Sequence, residues 1–139
     1  MPLVVVLDSN VFIASLLNSE SCGAILAEWR KGTFDVAISS ALLGELRRTL
    51  ARRKFHGRIH PNELSELIRF IEDTAVRTRS IRLHRRISRD PTDDEVFACA
   101  FAAGATCIVS GDADVLTVAP ISGLRVLSPR SFLAQLKSR

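Results

Sequence analysis

The sequence has no apolar run long enough to cross a bilayer: its longest, such as Val96 to Ala103, fall well short of the ~20 residues a helical span needs. No membrane association is expected. Cysteine is sparse and unpatterned. Cys22, Cys99 and Cys107 are odd in number, sit in apolar surroundings and lack metal-ligand spacing, so they read as buried free thiols rather than a disulfide frame or a zinc site. Histidine is scarce as well, and His56, His60 and His84 all fall in one basic region, where they read as exposed fillers. The opening "MPLVVVLDSN" has no basic segment ahead of its apolar run and closes on an Asp, the mark of a buried strand rather than a signal peptide. A cytoplasmic location is the expectation. With no repeat, low-complexity tract or linker, the 139 residues suit one domain over 1–139, long enough to bury a core without staples.

Charge is present and segregated. The net charge is +4, yet thirteen of the nineteen Lys and Arg lie between Arg47 and Arg89, against four acids there. From Asp90 to Asp114 there are six acids and no Lys or Arg. Such a chain offers a cationic surface to a polyanion and, separately, an anionic pocket to a cation. Nucleic acid and a metal ion would satisfy both.

Strand and helix patterns alternate along the chain. Leu3 to Leu7 is a β-branched run of the kind buried on both faces of a parallel sheet. Helical patterns follow at Val11 to Leu17 and at Ala24 to Trp29, the latter with Ser21 as its expected cap and Gly32 as its stop. "DVAIS" (35–39) predicts a strand, and Ser39 or Ser40 caps a helix carrying Leu42, Leu43, Leu46 and Leu50. His60-Pro61 opens a helix with Leu64, Leu67, Ile68, Ile71 and Ala75 on one face. "SIRL" (80–83) is a weak strand candidate, and a helix from about Thr92 ends before Gly104. "TCIVS" (106–110) and "LRVL" (124–127) predict strands, and Ser128-Pro129 opens a closing helix to about Lys137. The alternation predicts an α/β fold, a three-layer α/β/α sandwich around a central, mainly parallel sheet.

Ligand sites in such sheets form beyond the carboxyl ends of the strands. Asp8 follows the first strand, and Asp112 and Asp114 follow Ser110 at the end of a later one. Glu45 lies in the helix after "DVAIS", and Asp94 opens the helix before the strand that ends at Ser110. Two carboxylates about 5 Å apart repel by about 3 kcal/mol at an effective dielectric of about 20, a cost a divalent cation removes. An all-acid set without His or Cys selects Mg²⁺ or Mn²⁺ over zinc. Each residue also has a purely structural role open to it. Asp8 and Asn10 suit helix caps, Glu45 a solvated helix face, Asp112 and Asp114 a turn, and Ser110 a strand-end amide.

Taken in order, "VVVLDSNVFIASL", "AISSALLGEL", "DPTDDEVFACAFAAGA" and "CIVSGDADVL" resemble the successive signatures of a PIN domain, and more narrowly of the VapC-like toxins of type II toxin–antitoxin pairs. The resemblance covers nearly the whole chain. It implies a metal-dependent endoribonuclease whose acidic positions fall on Asp8, Glu45, Asp94 and Asp112, with Asn10 and Ser110 as supporting polar groups. Asp94 rather than Asp93 fits the family's interval, lying eighteen residues before Asp112. Asp114 is either a ligand through water or a loop-builder, and Asp90 with Pro91 shapes the approach to the helix. Under this resemblance Asp8, Asp94 and Asp112 hold one or two Mg²⁺ or Mn²⁺ ions and Glu45 is a ligand or an outlying base. Hydrolysis then leaves 5′-phosphate and 3′-hydroxyl ends. An RNA substrate, an antitoxin protein and a homodimer are the implied partners.

The basic stretch "RRTLARRKFHGR" (47–58) supplies candidate RNA contacts in Arg47, Arg48, Arg52, Arg53 and Lys54, with a solvated helical face as the alternative. Phe55 is expected to be buried rather than stacked on a base. Two further alternatives are a PIN-like module that binds RNA or protein without cutting and a haloacid-dehalogenase-like phosphatase. The phosphatase would need an acid where Asn10 stands and a Lys between Lys54 and Lys137, and neither is present.

Overall fold

Runs of Val and Ile flanked by polar turns are stable in water when a parallel sheet is covered by helices on both faces. The computed structural model describes residues 3–79, 94–118 and 123–138, and it places those runs in one such sheet. The elements in chain order are β1 (Val4–Leu7), α1 (Ser9–Leu16), α2 (Glu20–Arg30), β2 (Asp35–Ser39), α3 (Ser40–Leu50), a 3-10 turn (Arg53–Phe55) and α4 (Pro61–Thr74). They continue with β3 (Val76–Thr78), α5 (Asp94–Ala103), β4 (Cys107–Val109), α6 (Ala113–Leu116), β5 (Arg125–Leu127) and α7 (Pro129–Lys137).

The strand order is β3-β2-β1-β4-β5 and every pairing is parallel. The chain steps outward from β1 through β2 to β3, then returns past β1 to β4 and β5. Right-handed crossovers put the helices of the outward and return paths on opposite faces. The helices α1 to α4 cover one face, with α7 packed on α2, and α5 covers the other, against β1, β2, β3 and β4. This is the expected three-layer sandwich. Val5, Val6, Ile108 and Val109 are wholly buried at its centre. Each such side chain stabilises the fold by roughly 1.5–3 kcal/mol, so the ends of β1 and β4 are held firmly. Trp29 meets Phe70 edge-on at 4.5 Å and Phe34 meets Phe132 at 5.1 Å, tying α2 to α4 and the start of β2 to α7.

Several local expectations shift. The cap of α2 is Ser19, whose Oγ accepts from the Cys22 amide at 3.3 Å, and not Ser21, which lies inside the helix. The cap of α3 is Ser39, accepting from the Leu42 amide at 3.2 Å. Ala75 is extended and ends α4 instead of continuing its face, because Val76–Thr78 pairs with β2 as a third strand that helical periodicity had absorbed. "SIRL", Thr92 and Asp93 lie outside the described residues. His60 is more than a filler: its Nδ1 accepts from the Asn62 amide at 3.1 Å and caps α4. Phe55 is buried, as expected, under the Lys54 ammonium.

Candidate active site

The strand order reverses between β1 and β4, and a crevice opens beyond the carboxyl ends at such a reversal. Leu7 is level with Val109, so the next residues, Asp8 and Ser110, face each other across it. The Asp8 amide donates to the Val109 carbonyl at 2.9 Å and fixes that register one step past the strand. On the other side, Val5 is level with Val36 and Ser39 with Thr78. Carried on, this register aligns Ser110, Asp8, Ser39 and Thr78 in one polar row across the sheet's edge. Neither Ser39 nor Thr78 stands out in the sequence as part of a site, because only strand pairing aligns them with Asp8.

Asp8 is 7% exposed and Ser110 is fully buried. Ser110 Oγ donates to Asp8 Oδ2 at 2.8 Å and accepts from the Asp112 amide at 3.0 Å. Asn10 Nδ2 donates to Asp8 Oδ2 at 3.2 Å and to Ser110 Oγ at 3.3 Å, while its Oδ1 accepts from the Gly111 amide at 2.9 Å. The Ser9 amide donates to Asp8 Oδ1 at 2.8 Å. A "D-S-N" segment and an "S-G-D" segment a hundred residues apart are thus laced into one closed network. Asp8 also caps α1.

Burial pushes the Asp8 carboxyl above the ordinary Asp value, the Ser110 hydroxyl and the Ser9 amide pull it back, and the nearby Asp112 charge raises it again. No Lys, Arg or His forms an ion pair with Asp8 among the described residues. A desolvated anion beside a second anion, with oxygen donors throughout, is chemistry that fits a hard divalent cation. As placed, however, no three His, Cys, Asp or Glu side chains among the described residues close on one metal position.

Of the other acids, Asp112 is near enough for its charge to act on Asp8. Asp112 is half-buried and its Oδ1 accepts from the Asp114 amide at 2.8 Å, capping α6. Asp114 is exposed. Glu45 and Asp94 are half-buried, on α3 and at the described start of α5, two helices that pack on each other; both have interaction partners. Cys99 of α5 meets Thr78 of the polar row at 3.6 Å, so Asp94, more than a turn earlier, stands beyond that row, toward the crevice. Asp90 and Asp93 lie outside the described residues.

Of the basic candidates, Arg47 and Arg48 follow Glu45 on α3 and are exposed. Arg47 pairs with Glu72 of α4 at 2.6 Å. Arg52, Arg53 and Lys54 follow the end of α3, about 15 Å along that helix from Ser40. A cavity of ≈ 770 Å³ lies away from Asp8 and Asp112, between Leu16, Leu50, Phe55, Ile59 and Leu64.

A family model described as PIN domain matches residues 4–114, from the start of β1 to Asp114. The chain belongs to the PIN-domain family. PIN domains are in general nucleases, and the phosphatase alternative falls away with that membership. No curated protein matches the chain in sequence. Among solved structures the PIN fold here is similar to one chain of VapBC2 from Rickettsia felis, solved bound to a DNA fragment from their promoter. The two share 16% identity and a TM-score of 0.59, over 91% of this chain and 98% of that one. At that identity the likeness is one of fold.

Proposed function

We propose that this PIN domain is a metal-dependent endoribonuclease, the toxin of a cytoplasmic toxin–antitoxin pair. The observation that carries this reading is the buried Asp8 carboxylate, held by three donors, facing Asp112 and unpaired with any described cation. Asp8, Asp94 and Asp112 would hold Mg²⁺ or Mn²⁺, with Glu45 as a further ligand or as the base that takes the proton of the attacking water. Such an ion supplies, when bound, a water of lowered pKa and positive charge beside the scissile phosphate.

The chain's own residues do the rest. Ser9, Asn10 and Ser110 keep both Asp8 oxygens oriented and favour their ionised form against burial. Ser110 also holds the Asp112 backbone, so the two acids stay in fixed relation. In-line attack then leaves 5′-phosphate and 3′-hydroxyl ends. The motif resemblance to VapC-like toxins and the fold likeness to a VapBC2 chain support an antitoxin partner, and the motif resemblance alone implies a homodimer.

The test is cleavage of a mixed RNA set by purified protein with Mn²⁺, Mg²⁺ or EDTA, beside Asp8→Asn and Asp112→Asn. Metal-dependent cutting that both variants lose is the expected result; 2′,3′-cyclic phosphate ends would sink the mechanism. One observation favours a second reading, a PIN module that binds without cutting: the described acids do not close on a single metal position. RNA bound under every condition and never cut would establish that reading.

A further inference from the structure

The polar row at the carboxyl edge runs past the acids onto β3, where Arg77 stands level with Ile38 of β2. Successive strand residues point to opposite faces. Thr78 turns to α5 and Cys99, so Arg77 leaves by the other face, and its Nη1 donates to Ser40 Oγ at 3.3 Å. Ser40 is the first residue of α3, directly after β2. Arg77 is exposed, and the ion pairs among the described residues, Lys31–Glu28 and Arg47–Glu72, do not include it. Among the described residues one hydrogen bond steadies the guanidinium and the rest of its planar fork of donors has no partner, an arrangement suited to bidentate phosphate recognition.

Its position suits a particular phosphate. Ser40, which the guanidinium bonds, directly follows Ser39, and Ser39 is level with Asp8 one strand spacing away, about 5 Å, so Arg77 stands close to the acid edge but on the face opposite Thr78 and α5, where it suits a phosphate neighbouring the scissile one. Arg47 is engaged by Glu72, and Arg52 to Lys54 lie beyond the far end of α3. Arg79 is exposed on the same strand end but has no hydrogen bond to steady it among the described residues.

We infer that Arg77, steadied by Ser40, binds a backbone phosphate of single-stranded RNA next to the scissile one, so that β3 rather than the 47–54 run sets how the strand enters the site. The RNA's place there rests on the ribonuclease reading above. A phosphate contact of this kind contributes affinity and register without sequence preference.

The test measures binding of a short fluorescein-labelled single-stranded RNA of mixed sequence to the full chain in EDTA, by anisotropy across a salt series. Arg77→Gln is expected to weaken binding about tenfold and to make the salt dependence shallower by about 0.7 in log–log slope. Arg77→Lys keeps the slope and loses part of the affinity. Ser40→Ala, which leaves the charge and removes its anchor, costs about threefold at unchanged slope. Circular dichroism matching wild type excludes misfolding of Arg77→Gln, and Arg77→Lys tests the same contact should that variant not fold.

Unchanged affinity and slope in Arg77→Gln, the whole effect arising from Arg79→Gln or from an Arg52→Ala, Arg53→Ala, Lys54→Ala triple variant, or no RNA binding by wild type would each overturn the inference. Manganese-dependent cleavage is scored separately. Cutting with no Arg77 dependence, in KM or in binding, defeats this inference alone; Arg77-dependent binding without cutting defeats the nuclease reading alone.

Discussion

The edge between β1 and β4 and the segment from Arg47 to Arg58 carry opposite charge, and they are built in opposite ways. At the edge, Asp8 and Ser110 are almost wholly buried and, among the described residues, no buried polar side-chain atom lacks a partner. Along the segment, Arg52, Arg53, Lys54 and Arg58 are exposed, and the ion pair Arg47–Glu72 lies half in solvent. The acidic edge is held by geometry, so changing one atom there disturbs several bonds. The basic segment acts through summed charge in water, where each member counts for little.

The contrast would be broken most visibly by activity. Asp8→Asn and Asp112→Asn are each expected to lower manganese-dependent RNA cleavage by about a hundredfold or more, while Arg53→Ala changes it by less than about threefold. A gel assay of initial rates checks both, and comparable losses would erase the distinction.

Stability gives the next largest effect. Ser110→Ala removes the hydroxyl that serves Asp8, Asn10 and the Asp112 amide together. Leaving such buried groups unsatisfied costs about 1–3 kcal/mol, against about 0.5 kcal/mol or less for Arg53→Ala. Urea denaturation of the metal-free protein measures both.

The pH dependence of Asp8 follows from its raised pKa. The unfolded carboxyl ionises near 3.8 and the folded one higher, so the folded state binds more protons between those values. Its contribution to stability is complete below 3.8 and is lost as pH rises through the folded value. The melting temperature of Asp8→Asn minus that of wild type should therefore increase from pH 3.5 to about pH 7 in EDTA. Adding Mn²⁺ at pH 7 should reverse the trend for wild type alone. A pH-independent difference would show that burial does not govern this carboxyl.

The smallest effects sharpen the comparison. Arg47→Ala should cost no more than about 1 kcal/mol, because its partner pair is half-exposed and screened. The Cys107 thiol, pushed by burial up to about 11, should resist alkylation in the native protein near pH 8 and react once unfolded. Mass spectrometry of protein treated in each state decides that point.

How far the sequence carries differs between fold and site. The β-branched runs at Val4–Leu7 and Cys107–Val109 were legible because burial on both faces demands continuous apolar residues. β3 was not: Val76–Thr78 has two exposed residues, lies at the sheet's edge and follows α4 without a turn signal, so nothing local separates it from the helix. The short α6 escaped for a similar reason, since "SGDADVL" reads equally as a turn. Asp8, Asn10, Ser110 and Asp112 were each identifiable, but each with a structural role as an alternative: a helix cap for Asp8 and Asn10, a strand-end amide for Ser110 and a turn for Asp112. In the structure Asp8 and Asp112 each cap a helix through Oδ1, and Asp8 Oδ2 accepts from Ser110 and Asn10.

By itself, then, the sequence determined which residues are acidic, which runs must be buried and that strands alternate with helices, because hydrophobic period and turn chemistry are local properties. Only the tertiary structure decided that Ser110, Asp8, Ser39 and Thr78 stand in one row, that Arg47 is paired with Glu72 and that Arg77 reaches Ser40. Those facts depend on strand order and register, and register is set by the fit of whole faces against the helices above and below, which no short stretch of sequence contains.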